Sequence, residues 1–224
     1  MLGCENAVMS YRTSAVEYRL SQVAIWPAQI YDCKAAIRWL RANAMEYNID
    51  PGRIGVWGAS AGGHLVSMLG TSADRKELEG QSGTPDQSTR VSCVVDVCGP
   101  VDLPNMRPEE QKVYGMMDRL LGGPMAEKME AAKSASPITY VSPSAPPFLL
   151  IHGNLDTQVP FSQSQTFCAA LKAAGADATL VKMEGGKHHT YFTEAKPQVQ
   201  AFFDKHLRGL AVEIPPQPSV PDKM

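Results

Sequence analysis

Arg53-Ile54-Gly55-Val56-Trp57-Gly58-Ala59-Ser60-Ala61-Gly62-Gly63-His64-Leu65 is the stretch whose reading decides the fold. It reads as a short apolar strand, a turn of tiny residues, then a helix. Its centre, Gly58-Ala59-Ser60-Ala61-Gly62, is a G-x-S-x-G. In a nucleophile elbow the serine sits on a sharp, strained strand-to-helix turn, and the crowding there calls for Gly and Ala on both sides. The helix that follows aims its N-terminal N–H groups at any oxyanion formed at Ser60. A chain of this length meets the pattern by chance roughly one time in ten, so its surroundings decide. An apolar run precedes it, a helix-compatible run follows it, and acid and base candidates come later.

Outward from the elbow, the pattern alternates strand and helix. Ile30, Cys33, Ile37, Leu40, Ala44 and Tyr47 recur every three or four residues, which predicts an amphipathic helix with Lys34, Arg38 and Arg41 on its other faces. Thr13 to Tyr18 reads as a strand before it, residues Leu2 to Met9 as a short helix or part of one, and Asp50-Pro51-Gly52 as a turn. The helix after the elbow is expected to reach about Gly70. Thr71 to Arg90 is polar and reads as a surface loop, and Val91 to Val97 as a buried strand. Between Gly99 and Ser144 the pattern weakens. Short helices near Glu109–Leu121 and Pro124–Lys133 are expected there, forming a cap-like segment. Its Met106, Met116, Met117, Met125 and Met129 either line an acyl pocket or fill core. Phe148–Ile151 and Ala178–Met183 read as strands, Pro160–Ala174 and Lys196–Arg208 as helices. Residues 1–213 are read as one α/β domain, and 214–224 as an extended tail with four prolines.

Such alternation predicts a mainly parallel sheet covered by helices on both faces. Ligands then bind beyond the carboxyl ends of the strands. Asp156 follows one strand, in His152-Gly153-Asn154-Leu155-Asp156-Thr157-Gln158-Val159-Pro160. His188 and His189 follow the last, in Glu184-Gly185-Gly186-Lys187-His188-His189-Thr190. The order Ser60, Asp156, then His188 or His189 is the Ser…Asp…His order of the α/β-hydrolases. The chemistry needs these types: neutral imidazole takes the serine proton, and a carboxylate fixes its tautomer and steadies the imidazolium. Asp102 is the alternative acid. His64, one turn after Ser60, is expected to pack its helix. His152 has at most a supporting role, and Asp96 lies inside a strand.

Other classes are disfavoured by composition. A net charge of −2 gives no case for nucleic acid or an anionic membrane, and no run approaches a membrane span. The five dispersed cysteines (Cys4, Cys33, Cys93, Cys98, Cys168) lack C-x-x-C spacing and read as buried thiols. No metal ligand set is found, and no cofactor is implied. The first residues show no charged region followed by an apolar signal segment, so the cytoplasm is the default location.

Several stretches together resemble microbial α/β-hydrolase esterases of the hormone-sensitive-lipase-like and feruloyl-esterase-like groups. They are Glu17-Tyr18-Arg19-Leu20-Ser21, Trp26-Pro27-Ala28-Gln29, Ala35-Ala36-Ile37-Arg38-Trp39-Leu40-Arg41, Asp50-Pro51-Gly52-Arg53-Ile54-Gly55, the elbow, Cys98-Gly99-Pro100-Val101-Asp102, Ile151-His152-Gly153 and Asp156–Pro160. The resemblance implies Ser60 as nucleophile, Asp156 as acid and the Ala61 N–H as an oxyanion donor. Such enzymes usually carry Gly-x-Gly-His after the last strand. Gly185-Gly186-Lys187-His188 is the counterpart and favours His188 over His189. It further implies a serine esterase acting on short-chain acyl esters, with acetyl or feruloyl esters of plant polysaccharide as an extension. A serine peptidase of the same fold, or a non-catalytic binding protein on this scaffold, are the alternatives.

The relatives also have three more strands before the Glu17-Tyr18-Arg19-Leu20 stretch, the third ending in a His-Gly-Gly loop that supplies oxyanion N–H groups. This sequence has no His-Gly-Gly. It is therefore expected to be N-terminally shortened, as a truncated reading frame, a fragment or a compact variant. Loss of an oxyanion donor typically costs about 10²–10³ in kcat. The Thr13–Tyr18 strand is expected to pair beside Ile54–Trp57, giving five parallel strands in chain order. Apolar surface left open by the shortening would be buried in a homo-oligomer.

Overall fold

The computed structural model describes residues 11–188 and 194–216, with only the backbone of residue 111. Four strands form one sheet: β1 (Gly55–Ala59), β2 (Cys93–Val97), β3 (Phe148–Gly153) and β4 (Ala178–Met183). They lie in the order β1-β2-β3-β4, and every neighbouring pair is parallel. The helices are α1 (Ala28–Ala42), α2 (Ala61–Thr71), α3 (Gln111–Leu121), α4 (Met129–Ser134), α5 (Ser162–Ala173) and α6 (Lys196–Arg208).

Successive strand residues face opposite sides of a sheet, and here each side has its own core. Val94, Phe148 and Leu150 join Ile30, Met68, Phe167 and Leu171, from α1, α2 and α5. Cys93, Val95, Val97, Leu149 and Ile151 join Phe202 of α6. Both central strands are buried along their whole length, as their unbroken β-branched and aliphatic runs require. The fold is therefore the α/β-hydrolase arrangement that the sequence suggests.

Two expectations are overturned. Thr13–Tyr18 forms no strand, so β1 is an edge and the described sheet has four strands, not five. The cause is local. Arg19 commits both its backbone N–H (2.9 Å) and its guanidinium (2.7 and 2.8 Å) to Asp32 of α1, and Tyr18 packs against the core. The segment lies beside α1, with Ser14–Glu17 near Ala36, Trp39 and Leu40, instead of along β1.

The second correction concerns the basic residues of α1. Lys34 and Arg38 are fully buried. Lys34 Nζ donates to the Ser72 carbonyl and to Glu79 Oε1, both at 2.7 Å. Arg38 donates to Glu79 Oε2 (3.1 Å) and to the carbonyls of Glu79 and Ser82. Buried charges persist only when paired, and Glu79 supplies the partner. The 71–90 segment, read as a surface loop, is thus tied to α1 and contains one turn of 3-10 helix at Lys76–Leu78. α1 itself ends at Ala42, and turns carry the chain on past Tyr47.

In the 99–144 segment, Met106 and Met117 are buried in the main core, Met125 packs against it, and Met116 and Met129 face outward. Core filling accounts for the buried pair. Cys33, Cys93, Cys98 and Cys168 are buried, and burial pushes the Cys33 and Cys93 thiols up to about 12. Cys4, the Leu2–Met9 stretch and the tail beyond Pro216 lie outside the described residues. Ile214 packs on the α6 side, and Gln198 donates to the Pro216 carbonyl at 2.9 Å. Among the described residues no helix is long and apolar enough to cross a membrane.

Candidate active site

Ser60 stands between β1 and α2 with φ +55° and ψ −119°, a left-handed backbone conformation that costs a non-glycine residue about 1–3 kcal/mol. The turn that imposes it is tight. A Cβ on Gly58 would lie 2.3 Å from the Gly62 carbonyl oxygen, so only glycine lets the strand and helix approach this closely. The Ser60 N–H donates to the Val97 carbonyl (2.8 Å), and its own carbonyl accepts from the His64 N–H (3.0 Å). A serine at this position usually caps the helix with its hydroxyl. Here it makes no cap bond, and Oγ lies 2.8 Å from His188 Nε2.

His188 follows β4 on the Gly-rich loop and is buried. Its Nδ1 lies 2.7 Å from Asp156 Oδ2. An ionised carboxylate only accepts, so Nδ1 carries the proton and donates. Nε2 is then bare and accepts the Ser60 hydroxyl. That is the tautomer a general base needs.

Asp156 follows β3 and is held from several sides. Oδ1 accepts the N–H groups of Gln158 and Val159, each at 2.9 Å. Oδ2 accepts from His188 and faces His152 Nε2 at 3.2 Å. Burial pushes its carboxyl up. The hydrogen bonds from His152 and His188 and from the Val159 N–H outweigh that and hold it well below the usual carboxylate range. The acid and base loops are also joined to each other. Asn154 Oδ1 accepts the Gly185 N–H (2.7 Å), and the Leu155 N–H donates to the Gly186 carbonyl (2.9 Å). A Cβ on Gly153 would meet that carbonyl oxygen at 2.3 Å.

The structure thus brings Ser60, Asp156 and His188 together, and Ala61 opens α2 beside them. A first-turn N–H has no acceptor within its own helix, so the Ala61 N–H is available in kind for an oxyanion. The other candidates lie elsewhere. Asp102 Oδ2 accepts from Asn105 Nδ2 at 2.9 Å. His64 is buried, with Nε2 2.6 Å from the Ala135 carbonyl and its ring against Trp26; burial lowers its pKa and keeps it neutral. His189 lies outside the described residues.

Two residues near the site carried little sequence signal. Asp96 in β2 accepts from Ser67 Oγ (2.7 Å) and the Gly99 N–H (2.8 Å) behind the elbow. Cys98, at φ +47°, donates its thiol toward the His188 carbonyl at 3.6 Å. Cys98, Asp156 and His188 offer S, O and N atoms within 4.8 Å of one another. The Asp156 and His188 atoms are already bonded to each other, so a cation there would have to displace that bond.

Comparison with known proteins places this geometry in context. A family model described as BD-FAE matches residues 4–171, a span that includes Ser60 and Asp156 and stops before His188. The esterase LipQ of Mycobacterium tuberculosis is 34% identical over 79% of this chain and 42% of its own length. The chain spans less than half the length of such curated mycobacterial relatives. Among solved structures, a truncated form of a carbohydrate esterase from gut microbiota is 36% identical, with TM-score 0.80, covering 85% of this chain and 72% of that one. An acetyl ester-xyloside bifunctional hydrolase from Caldicellulosiruptor lactoaceticus is 30% identical, with TM-score 0.69, over 86% and 68%. Sequence, fold and relatives agree: the chain belongs to the BD-FAE family and has the α/β-hydrolase fold.

Proposed function

We propose that this chain is a serine carboxylic-ester hydrolase that works through an acyl-enzyme on Ser60. The observation that carries the reading is His188, seated 2.8 Å from Ser60 Oγ and 2.7 Å from Asp156 Oδ2, with the serine on a strained turn. As Oγ attacks the acyl carbonyl, its proton passes to His188 Nε2. The Ala61 N–H donates to the carbonyl oxygen as it gains charge. His188 then gives the proton to the departing alcohol, which leaves the acyl group on Ser60. Water, deprotonated by the same nitrogen, attacks the acyl carbonyl. The proton returns to Ser60, and the carboxylic acid departs. Asp156 holds Nδ1–H throughout and stabilises the imidazolium. No step calls for a cofactor.

Short-chain acyl esters are the proposed substrates, with acetyl or feruloyl esters on plant polysaccharide as the natural class. The support is the family and the solved relatives described as a carbohydrate esterase and an acetyl ester-xyloside hydrolase. Association with a second copy is proposed too. It is supported by the outer edge of β1, which has no strand partner among the described residues, and by half-exposed Trp39 and Tyr47 on one side of α1 and its following turn. Sedimentation at micromolar concentration tests it, and a clean monomer contradicts it.

A p-nitrophenyl ester series of increasing acyl length tests the function. The wild-type chain is expected to prefer the short members and to release acetate from acetylated xylan. Ser60→Ala and His188→Ala are expected to lose nearly all turnover. A folded wild-type chain that hydrolyses no ester contradicts the reading and leaves a binding protein on the same scaffold.

A further inference from the structure

His152 is fully buried at the carboxyl-terminal end of β3 and takes no part in the proton transfers above. Both of its nitrogens are nonetheless committed. Nε2 lies 2.9 Å from the Val159 carbonyl and 3.2 Å from Asp156 Oδ2. Both partners only accept, so Nε2 carries a proton and shares it between them. Nδ1 lies 2.7 Å from Ser164 Oγ on α5. On a neutral ring Nδ1 is the acceptor, and the Ser164 hydroxyl donates to it. Phe161 meets the ring edge-on at 5.7 Å and holds its plane.

The consequence lies at Asp156. A single carboxylate oxygen, Oδ2, faces two imidazoles, one from the base loop and one from its own strand. We propose that His152 is a positioning residue for the reaction: its Nε2–H fixes the Asp156 carboxylate and, by sharing Oδ2 with His188, sets how much of that charge the base feels. The inference rests on the proposed hydrolase reading for its catalytic meaning, but the hydrogen-bond relation itself is physical and can be read without substrate.

The direction of the effect follows from sharing. With the second donor gone, Oδ2 is a stronger acceptor for His188 alone and stabilises the imidazolium more. The base then needs a higher pH to lose its proton. The other groups around this pair are Asp96 on β2, near His152, Cys98 at the end of β2, with its sulfur near Asp156 and His188, and Ser164 on α5. None of them is altered in the test.

The test compares His152→Leu, which keeps bulk and loses the donor, with His152→Gln, whose amide nitrogen reaches as far as Nε2. In His152→Leu the acid limb of the kcat/KM profile is expected to move up by about one pH unit and kcat to fall about tenfold, with little change in KM. His152→Gln is expected to recover most of both. The proton in the His188–Asp156 hydrogen bond, observed far downfield by NMR, gives a readout independent of turnover. It is expected to move further downfield in His152→Leu and to return toward the wild-type position in His152→Gln. Should His152→Leu not fold, Ser164→Ala removes the donor to Nδ1 and is expected to move the same signal in the same direction by less. An unmoved proton signal in the folded variant, or equal damage from Gln and Leu, overturns the proposal and leaves His152 a packing residue. A wild-type chain that shows the proton but hydrolyses no ester counts against the hydrolase reading alone.

Discussion

Asp96 and Asp156 are buried carboxyls at the site end of the sheet, one behind the serine turn and one behind the base, and burial acts on them with opposite outcomes. Asp96 sits inside β2 with two neutral donors, Ser67 Oγ and the Gly99 N–H. Burial wins there and raises its pKa, against those hydrogen bonds. Asp156 sits in a loop with two backbone N–H groups and two imidazoles around it. Burial raises its pKa too, but the donors prevail and the carboxylate stays ionised. Donor number and kind, not depth, decide which carboxyl can steady a cation.

The same contrast runs through the two halves of the site. The nucleophile half is fixed by backbone: a strained Ser60, and Gly58 pressed against Gly62. The acid–base half is fixed mainly by hydrogen bonds between two loops, through Asn154, Leu155 and Asp156. Backbone crowding gives one permitted shape, whereas hydrogen bonds also set protonation and tautomer.

The largest expected effect comes from disturbing charge in the polar half. Asp156→Asn is expected to lower kcat/KM by about 10⁴-fold, because the amide favours the wrong tautomer and cannot steady the imidazolium. Steady-state ester hydrolysis measures it, and a loss below tenfold would place the acid elsewhere. In the backbone half, Gly58→Ala drives a Cβ into the Gly62 carbonyl. It is expected to lower the melting temperature and to reduce activity by about 10²-fold through misplacement of Oγ. Unchanged melting and activity would show that the turn can relax.

The two carboxyls should also separate in urea unfolding measured across pH. Asp156 is depressed in the folded state, so its contribution to stability is present above the unfolded value near 3.8 and is lost as pH falls through the folded value. Asp156→Asn is expected to flatten that acid slope. Asp96 is raised, so the folded state holds a proton that the unfolded chain has released. Its contribution is present below about pH 4 and is lost as pH rises through the folded value. Asp96→Asn is expected to remove that loss and to be no less stable than wild type near neutral pH. Identical pH slopes for the two variants would erase the contrast. The smallest effect belongs to Asp102, whose carboxylate serves Asn105. Asp102→Asn is expected to stay within about 0.5 kcal/mol of wild-type stability, as substitutions outside buried networks do, and a large loss of activity would revive it as the acid.

Much of this was legible in the sequence because it follows from periodicity. The β-branched run around Asp96 at Val91–Val97 and the apolar run Phe148–Ile151 read as buried strands, and the small residues around Ser60 fit a crowded turn. Chain order points to Asp156 and to His188 or His189, and the resemblance of Gly185-Gly186-Lys187-His188 to the family motif favours His188. What was not legible depends on partners distant in sequence. Lys34 and Arg38 read as an outer face because nothing in α1 announces Glu79 more than forty residues later. Thr13–Tyr18 reads as a strand, yet it lies beside α1, where Arg19 pairs with Asp32. His152 reads as supporting at most and Asp96 only as a strand residue, since their meaning comes from the neighbours the fold brings to them.

The central claim, that Ser60 is an activated nucleophile with His188 as its base, is tested most directly by a fluorophosphonate label located by mass spectrometry. The wild-type chain is expected to take one label, at Ser60, with Ser60→Ala unlabelled and His188→Ala labelled at least about 10²-fold more slowly. Label on another residue, or equal labelling rates in wild type and His188→Ala, would contradict it.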